Sequence, residues 1–209
     1  MASQCERVVG LDLSSVFLQR ANEHKTNWTQ DTSNVTFIQG SVYDVPFADS
    51  FFHACRMDRV MQHLDEPQRA ILELLRVLKP GARLVVGEPD WDTLILSCDF
   101  EPDHVAVADA LRASMRTVIK NPYIGRQLPA LFRQCGLKQT TCSIHVCHMH
   151  TKDESILYSL PQALALPLRK GAITKRQMND YIKMVDDFAG TGAFYASLNL
   201  FVVSGVKAD

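Results

Sequence analysis

"RVLKPGARLVV", Arg76–Val86, decides how the rest of the chain is read. It is a helix exit joined to a strand. Asp65-Glu66-Pro67 opens the helix: acids suit its positive N-terminal end, and a proline in the first turn lacks only an N–H that has no partner there. Ile71, Leu72, Leu75 and Leu78 follow at helical spacing and are expected to form its buried face. Lys79-Pro80-Gly81 stops the helix, and "RLVVGE", Arg83–Glu88, reads as a strand. Such helix-to-strand alternation is the pattern of a parallel α/β sheet.

The same alternation runs upstream. "VVGLDLSSVFLQRANEH", Val8–His24, holds a short β-branched strand, an acid at Asp12, Ser14 or Ser15 as a helix cap, and Phe17, Leu18 and Ala21 as the inner stripe of that helix. "NVTFIQG", Asn34–Gly40, is a second strand, and "SFFHACRM", Ser50–Met57, a third, apolar enough to be central. Downstream, Pro102 opens a helix with Val105, Ala108, Leu111, Met115 and Ile119 inward. Ile124, Leu128, Leu131, Phe132 and Cys135 make another, ended by Gly136 in the left-handed cap position. "TTCSIHVCHMH", Thr140–His150, reads as a strand, and Glu154–Leu168 as a proline-interrupted helical stretch. Thr174 with Gln177 forms a capping box before Met178, Tyr181, Ile182, Val185 and Phe188. "FYASLNLFVVSGVK", Phe194–Lys207, supplies a last long strand.

The 209 residues suit one domain with a small cap, and 46% apolar with 22% charged residues is ordinary for a soluble globular protein. A net charge of −1 gives no basic surplus for nucleic acid or an anionic membrane. No apolar run approaches the ~20 residues of a membrane span, and no signal-peptide pattern opens the chain. The six cysteines contain no C-x-x-C pair; they read as reduced thiols, several of them buried, in a cytoplasmic protein.

Three stretches carry a family resemblance. "VVGLDLSSVFLQRA", "VTFIQGSVYDVPFADSFFHACR" and "QHLDEPQRAILELLRVLKPGARLVVGEPDW" resemble the class I S-adenosylmethionine-dependent methyltransferases, in the small-molecule branch that includes quinone, sterol and arsenite methyltransferases. The resemblance covers residues 6–91 well and is general beyond them. It implies a Rossmann-like sheet, mostly parallel, with an antiparallel C-terminal edge and helical cap segments within 101–190. The whole chain, 1–209, is then one methyltransferase-like domain built on a nucleotide-binding core over 6–91.

The resemblance also implies site residues. Asp12 stands where the family places the acid that accepts hydrogen bonds from both ribose hydroxyls of S-adenosyl-L-methionine; helix capping is the other reading of Asp12. Leu13 then flanks the adenine. Ser41 takes the position of an Asp that holds the adenine amino group, and an uncharged hydroxyl grips it less strongly. Val42 offers a backbone N–H to the ring. Asp44 is a solvated turn acid, and Met57 lies near the methionine end of the cofactor or simply packs in the core. His53 replaces the family's structural Asp.

Methyl transfer is an in-line displacement, so the protein must position and desolvate the acceptor and remove a proton where the acceptor carries one. Asp58, Arg59, Gln62 and His63, then Glu88, Asp90 and Trp91, follow the central strands, at the edge where open α/β sheets bind ligands. His63 is the candidate general base, or a helix-entry residue bonded to backbone. Arg59 is a candidate for an acidic substrate or the cofactor carboxylate, or is a solvated arginine. In "CSIHVCHMH", Cys142, His148 and His150 share one strand face while His145 and Cys147 share the other, so neither face offers four ligands and no metal is expected.

One part of the family pattern is missing. The first strand and its G-x-G-x-G loop belong before Arg7, and Met1–Glu6 cannot hold them. In the family strand order, 3-2-1-4-5-7-6, that strand separates the second from the fourth. The expectation is an N-terminally truncated methyltransferase acting on a small-molecule methyl acceptor and impaired in this form. Direct pairing of the flanking strands, a homodimer, or a partner chain then completes the sheet. The alternative is a non-catalytic interaction or regulatory protein on the same fold. A dinucleotide-dependent dehydrogenase would share the strand-end acid but lacks G-x-G-x-x-G and leaves "RVLKPGARLVV" unexplained.

Overall fold

Residues 5–27, 31–96, 101–149 and 160–209 are described by a computed structural model. In chain order the elements are β1 (Val8–Asp12), α1 (Ser15–Thr26), β2 (Val35–Gln39), β3 (Phe52–Asp58), α2 (Pro67–Val77), β4 (Leu78–Leu96), α3 (Pro102–Val118), α4 (Ile124–Gln134), β5 (Lys138–Met149), α5 (Leu160–Arg169), α6 (Lys175–Thr191) and β6 (Ala196–Val206). A single 3-10 turn, Met61–His63, follows β3. The chain divides into two units, one of Met1–Cys55, Glu66–Leu84 and Lys207–Asp209, the other of Arg56–Asp65 and Val85–Val206.

In the first unit β1 and β2 run parallel, Val8 opposite Val35 and Asp12 opposite Gln39. Ser14 caps α1, its hydroxyl accepting the Phe17 N–H at 3.3 Å. The expected inner stripe of α1 is not realised: none of its residues is buried, and Phe17 is 58% exposed. The helix packs on β1 and β2, and two strands are too narrow a platform to cover an apolar stripe. On α2, Pro67 takes the first turn as expected and Ala70, Ile71 and Val77 are buried, but Leu72 lies on the exposed side. Arg76 stitches this unit. Its guanidinium donates to Glu73 (2.7 Å), to Asp49 (2.8 Å) and to the C=O groups of Val45 and Phe47 (2.9 Å each).

The larger sheet has the order β3-β4-β6-β5. Phe51 N–H bonds Val77 C=O and Arg59 N–H bonds Gly87 C=O, so β3 and β4 run parallel. β6 is antiparallel to β4, with Gly81 N–H on Lys207 C=O and Asn199 N–H on the Thr93 hydroxyl. It is also antiparallel to β5, from Thr141 opposite Ser204 to Met149 opposite Ala196. The late strands thus pair with each other at one edge, as the sequence predicts. The early strands depart from expectation. β1 and β2 form a separate two-stranded sheet, and β1 does not pair with β3. Among the described residues no strand lies on the free edge of either, which is where the family order inserts its first strand.

The core of the second unit gathers Trp91 and Leu94 from β4, Val107, Ala108 and Leu111 from α3, Leu160 and Leu164 from α5, Tyr181 and Val185 from α6, and Phe194. Gly136 has the expected left-handed φ of +82°, and Thr174 with Gln177 forms the expected capping box. Of the cysteines, Cys55 and Cys135 are half-buried and Cys5, Cys142 and Cys147 exposed, so none of these five is fully buried; Cys98 lies outside the described residues, as do His150 and the start of the Glu154–Leu168 stretch. Burial pushes the Cys55 thiol up to about 11. Among the described residues no helix is long and apolar enough to cross a membrane, and no three His, Cys, Asp or Glu side chains stand together as metal ligands.

Candidate functional site

The first unit brings four of the candidate residues to one place. Parallel β1 and β2 end side by side, and ligands of open α/β sheets bind at such carboxyl ends. Gly40 N–H donates to Asp12 C=O at 3.0 Å, and the Gln39 side chain donates to Leu13 C=O at 3.0 Å. Asp12 and Leu13 from β1 therefore adjoin Ser41 and Val42 just after β2. Asp12 does not cap α1, whose N-cap is Ser14; its Oδ1 accepts the Ser14 N–H at 2.8 Å and fixes the turn that leads into the helix. Its Oδ2 has no hydrogen bond among the described residues, so holding the turn and binding a ligand are compatible. Leu13 is 73% exposed, an apolar side chain held in water beside that carboxylate.

The turn after β2 is fixed before any ligand arrives. The Ser41 hydroxyl accepts the Tyr43 N–H at 3.1 Å, and Asp44 N–H returns to Ser41 C=O at 3.2 Å. Tyr43 accepts the Glu66 N–H at 3.0 Å and lies under the Arg69 guanidinium, 5.0 Å from its ring centre. Val45 N–H donates to Glu73, which Arg76 also holds; those bonds keep the Glu73 carboxyl below the usual carboxylate range. Val42 is half-buried and Asp44 exposed.

Met57, Arg59 and His63 belong to the second unit. Met57 is buried at the end of β3. Arg59 adopts a left-handed φ of +56° and carries a largely exposed guanidinium, 3.7 Å from Asp58. His63 donates its backbone N–H to Val60 C=O at 3.0 Å, which realises the helix-entry reading, while its imidazole is exposed with no hydrogen bond among the described residues. Arg59 and His63 bracket a turn built with unusual care. The fully buried Glu88 carboxylate accepts the N–H groups of Val60 (2.8 Å), Met61 (2.6 Å) and Gln62 (3.4 Å). Trp91 Nε1 donates to Gln62 Oε1 at 2.7 Å, and Asn121 Nδ2 donates to the C=O groups of Met61 and Leu64 at 2.9 and 2.6 Å. Burial lifts the Glu88 carboxyl to about 7 against the pull of the three N–H donors, with Asp58 adding to the rise.

Glu88, Gln62 and Trp91 are thus supports of the turn, and the groups they present to solvent are Arg59 and His63. Asp90, also fully buried, is paired with Arg126, which reaches Asp92 as well at 3.2 Å. Asn121 and Arg126 were not singled out by sequence. A buried acid on β4 requires a cation, but the local pattern of α4 does not say which of its basic residues turns inward.

An open parallel sheet with a half-free acid after one strand and a preformed turn after the next is the arrangement of a Rossmann-like fold. Residues 1–86 match the family described as Methyltransferase domain. A 37.1 kDa protein of a Streptomyces fradiae transposon is 29% identical over 94% of this chain and 54% of its own length. A demethylmenaquinone methyltransferase of Renibacterium salmoninarum is 36% identical over 39% of this chain and 31% of its own length. The chain therefore spans about half of one of these relatives and a third of the other. In fold it is similar to the YcgJ protein of Bacillus subtilis, with a TM-score of 0.62 at 15% identity over 100% of this chain and 85% of that one. It is also similar to phosphoethanolamine N-methyltransferase 2 of Haemonchus contortus, solved with S-adenosyl-L-methionine, with a TM-score of 0.52 at 15% identity over 97% and 44%. These matches place the likeness to methyltransferases in residues 1–86, the stretch whose motifs resemble the class I S-adenosylmethionine-dependent family.

Proposed function

We propose that the protein serves methyl transfer from S-adenosyl-L-methionine to a small-molecule acceptor. The observation that carries this reading is the convergence of Asp12–Leu13 and Ser41–Val42 at the carboxyl ends of parallel β1 and β2. The fit to an adenosine is chemical. Asp12 keeps an unused carboxylate oxygen for ribose hydroxyls, Leu13 offers exposed apolar surface to an adenine face, and the Ser41 hydroxyl with the Val42 N–H meets the ring edge. When bound, S-adenosyl-L-methionine supplies a methyl group on a sulfonium, already a good leaving group.

The chain's own part is binding, orientation and the proton. Fixing donor and acceptor in line contributes ~7–11 kcal/mol in well-oriented systems. By the resemblance alone, Met57 serves the methionine end of the cofactor, Arg59 an anionic group, and His63 takes the acceptor's proton at its imidazole. The rigid Glu88-held turn supports that assignment, because a base on a fixed turn costs less ordering on binding. The reading includes a cytoplasmic setting, and a homodimer or partner chain that supplies a strand to the open edges of β1 or β3. Titration with S-adenosylmethionine, S-adenosylhomocysteine and NAD tests it: the two adenosyl ligands compete for one site, and a chain that binds NAD but neither adenosyl ligand refutes it.

A further inference from the structure

Among the described residues the outer edge of β5 is the longest strand edge left open, and its side chains do nothing to guard it. β5 is terminal in the order β3-β4-β6-β5 and runs twelve residues, Lys138–Met149. Every residue except Met149 is exposed, so both faces as well as the edge meet solvent. Open edges are normally blunted by lysine, proline, inward charge or a bulge. Here the irregularity sits only at the start, between Lys138 and Thr141, where Gln139 has a φ of +47°. From Gln139 to Met149 there is no Asp, Glu, Lys, Arg or Pro. Two β-branched apolar residues, Ile144 and Val146, point to one face at 55% and 49% exposure. The other open edges among the described residues differ: β3 carries Arg56 and Asp58 as a charged pair, and β1 and β2 are only five residues long each.

We infer that β5 is a self-association edge, taking β5 of a second copy of this chain in antiparallel pairing. Three physical points select that occupant. A strand without formal charge meets its own copy without like-charge repulsion, the usual bar to self-pairing. Antiparallel pairing of identical strands is two-fold, and because β6 already takes the inner edge of β5 it uses up the one free β5 edge of each copy and closes at two. A two-fold axis near His145 sets Ile144 of one copy opposite Val146 of the other, which covers the exposed β-branched pair on both. The joined sheet is then continuous across eight strands, four from each copy.

Sedimentation velocity on the intact chain tests this with charge-swapped variants. Positions 144 and 146 are exposed, so substitution leaves the fold in place, checked by far-UV circular dichroism. The unaltered chain is expected to be a dimer that dissociates on dilution. Ile144→Lys with Val146→Lys sets lysines against lysines across the axis and weakens the dimer at least ~10-fold. Ile144→Glu with Val146→Glu does the same alone, and an equimolar mixture of the two variants reforms a dimer. A chain that stays monomeric at about 100 µM, a dissociation constant too weak to matter, overturns the inference. So does a dimer indifferent to the lysines, a species larger than a dimer, or failure of the mixture to reassociate.

Discussion

Removing the Asp12 carboxylate separates its two roles. In the folded chain Oδ1 accepts the Ser14 N–H at 2.8 Å, and Oδ2 is free for a ligand. Asp12→Ala deletes both, while Asp12→Asn keeps one carbonyl oxygen for Ser14 and loses the charge. Ser14 N–H is half-buried, so water can replace the lost acceptor, and losing this one turn hydrogen bond costs ~0.5–1.5 kcal/mol of stability. The ligand loses more. One or two charge-assisted hydrogen bonds to ribose hydroxyls, at ~1.5–3 kcal/mol each, amount to roughly a 10- to 10⁴-fold loss of affinity. Chemical-shift titration with S-adenosylhomocysteine, which follows weak binding, is the assay, with Asp44→Ala as the control at an exposed turn. Asp12→Asn is expected to keep its thermal stability and lose ligand. Equal affinities for the Asp12 and Asp44 variants would refute the ribose assignment and leave Asp12 as a residue that only holds the turn before α1.

Other outcomes follow from the same geometry. The folded chain holds the Glu88 proton up to about pH 7, above the ordinary 4.5 of an unfolded glutamate, so the folded state binds the proton more tightly between those values. Stability therefore falls as pH rises across that window, by roughly 1.4 kcal/mol per unit at most, and levels off above it; urea unfolding from pH 4 to 8 reads the slope, which Glu88→Gln should abolish. Gly125→Ala places a Cβ 2.8 and 2.9 Å from the C=O oxygens of Glu88 and Pro89, backbone atoms that cannot swing aside. It should cost ~1–3 kcal/mol in thermal denaturation, whereas Gly10→Ala meets only the edge of the Phe37 ring, 2.6 Å away and able to turn, and should cost less. The 209 residues contain no G-x-G-x-G run. Without two or three backbone bonds to the cofactor's amino-acid end, at ~1.5–3 kcal/mol each, adenosyl-ligand binding by these residues is expected to be millimolar or weaker; low-micromolar affinity in calorimetry would show that another segment supplies them.

Local chemistry is what the sequence determined. The β-branched runs, the Pro67 start of α2, the Ser14 cap, the capping box of Thr174 with Gln177 and the left-handed Gly136 depend on neighbours within a few residues, and each stands where its pattern puts it. The strand order of the two sheets also follows from the motif resemblance. Burial was decided elsewhere. Phe17 and Leu72 sit at apolar helical spacing yet face solvent, because periodicity says which side of a helix is apolar and not whether enough sheet exists to cover it. The Glu88 latch shows the same division. A glutamate ending an apolar strand is legible as a candidate, but its three backbone donors lie 26 to 28 residues away, Asn121 lies 60 residues from Met61, and Arg126 lies 36 from Asp90. Partners at that distance are chosen by chain crossing and packing. Only the tertiary structure could turn Glu88 from a possible acid near the chemistry into the buried group that holds Arg59 and His63 in place.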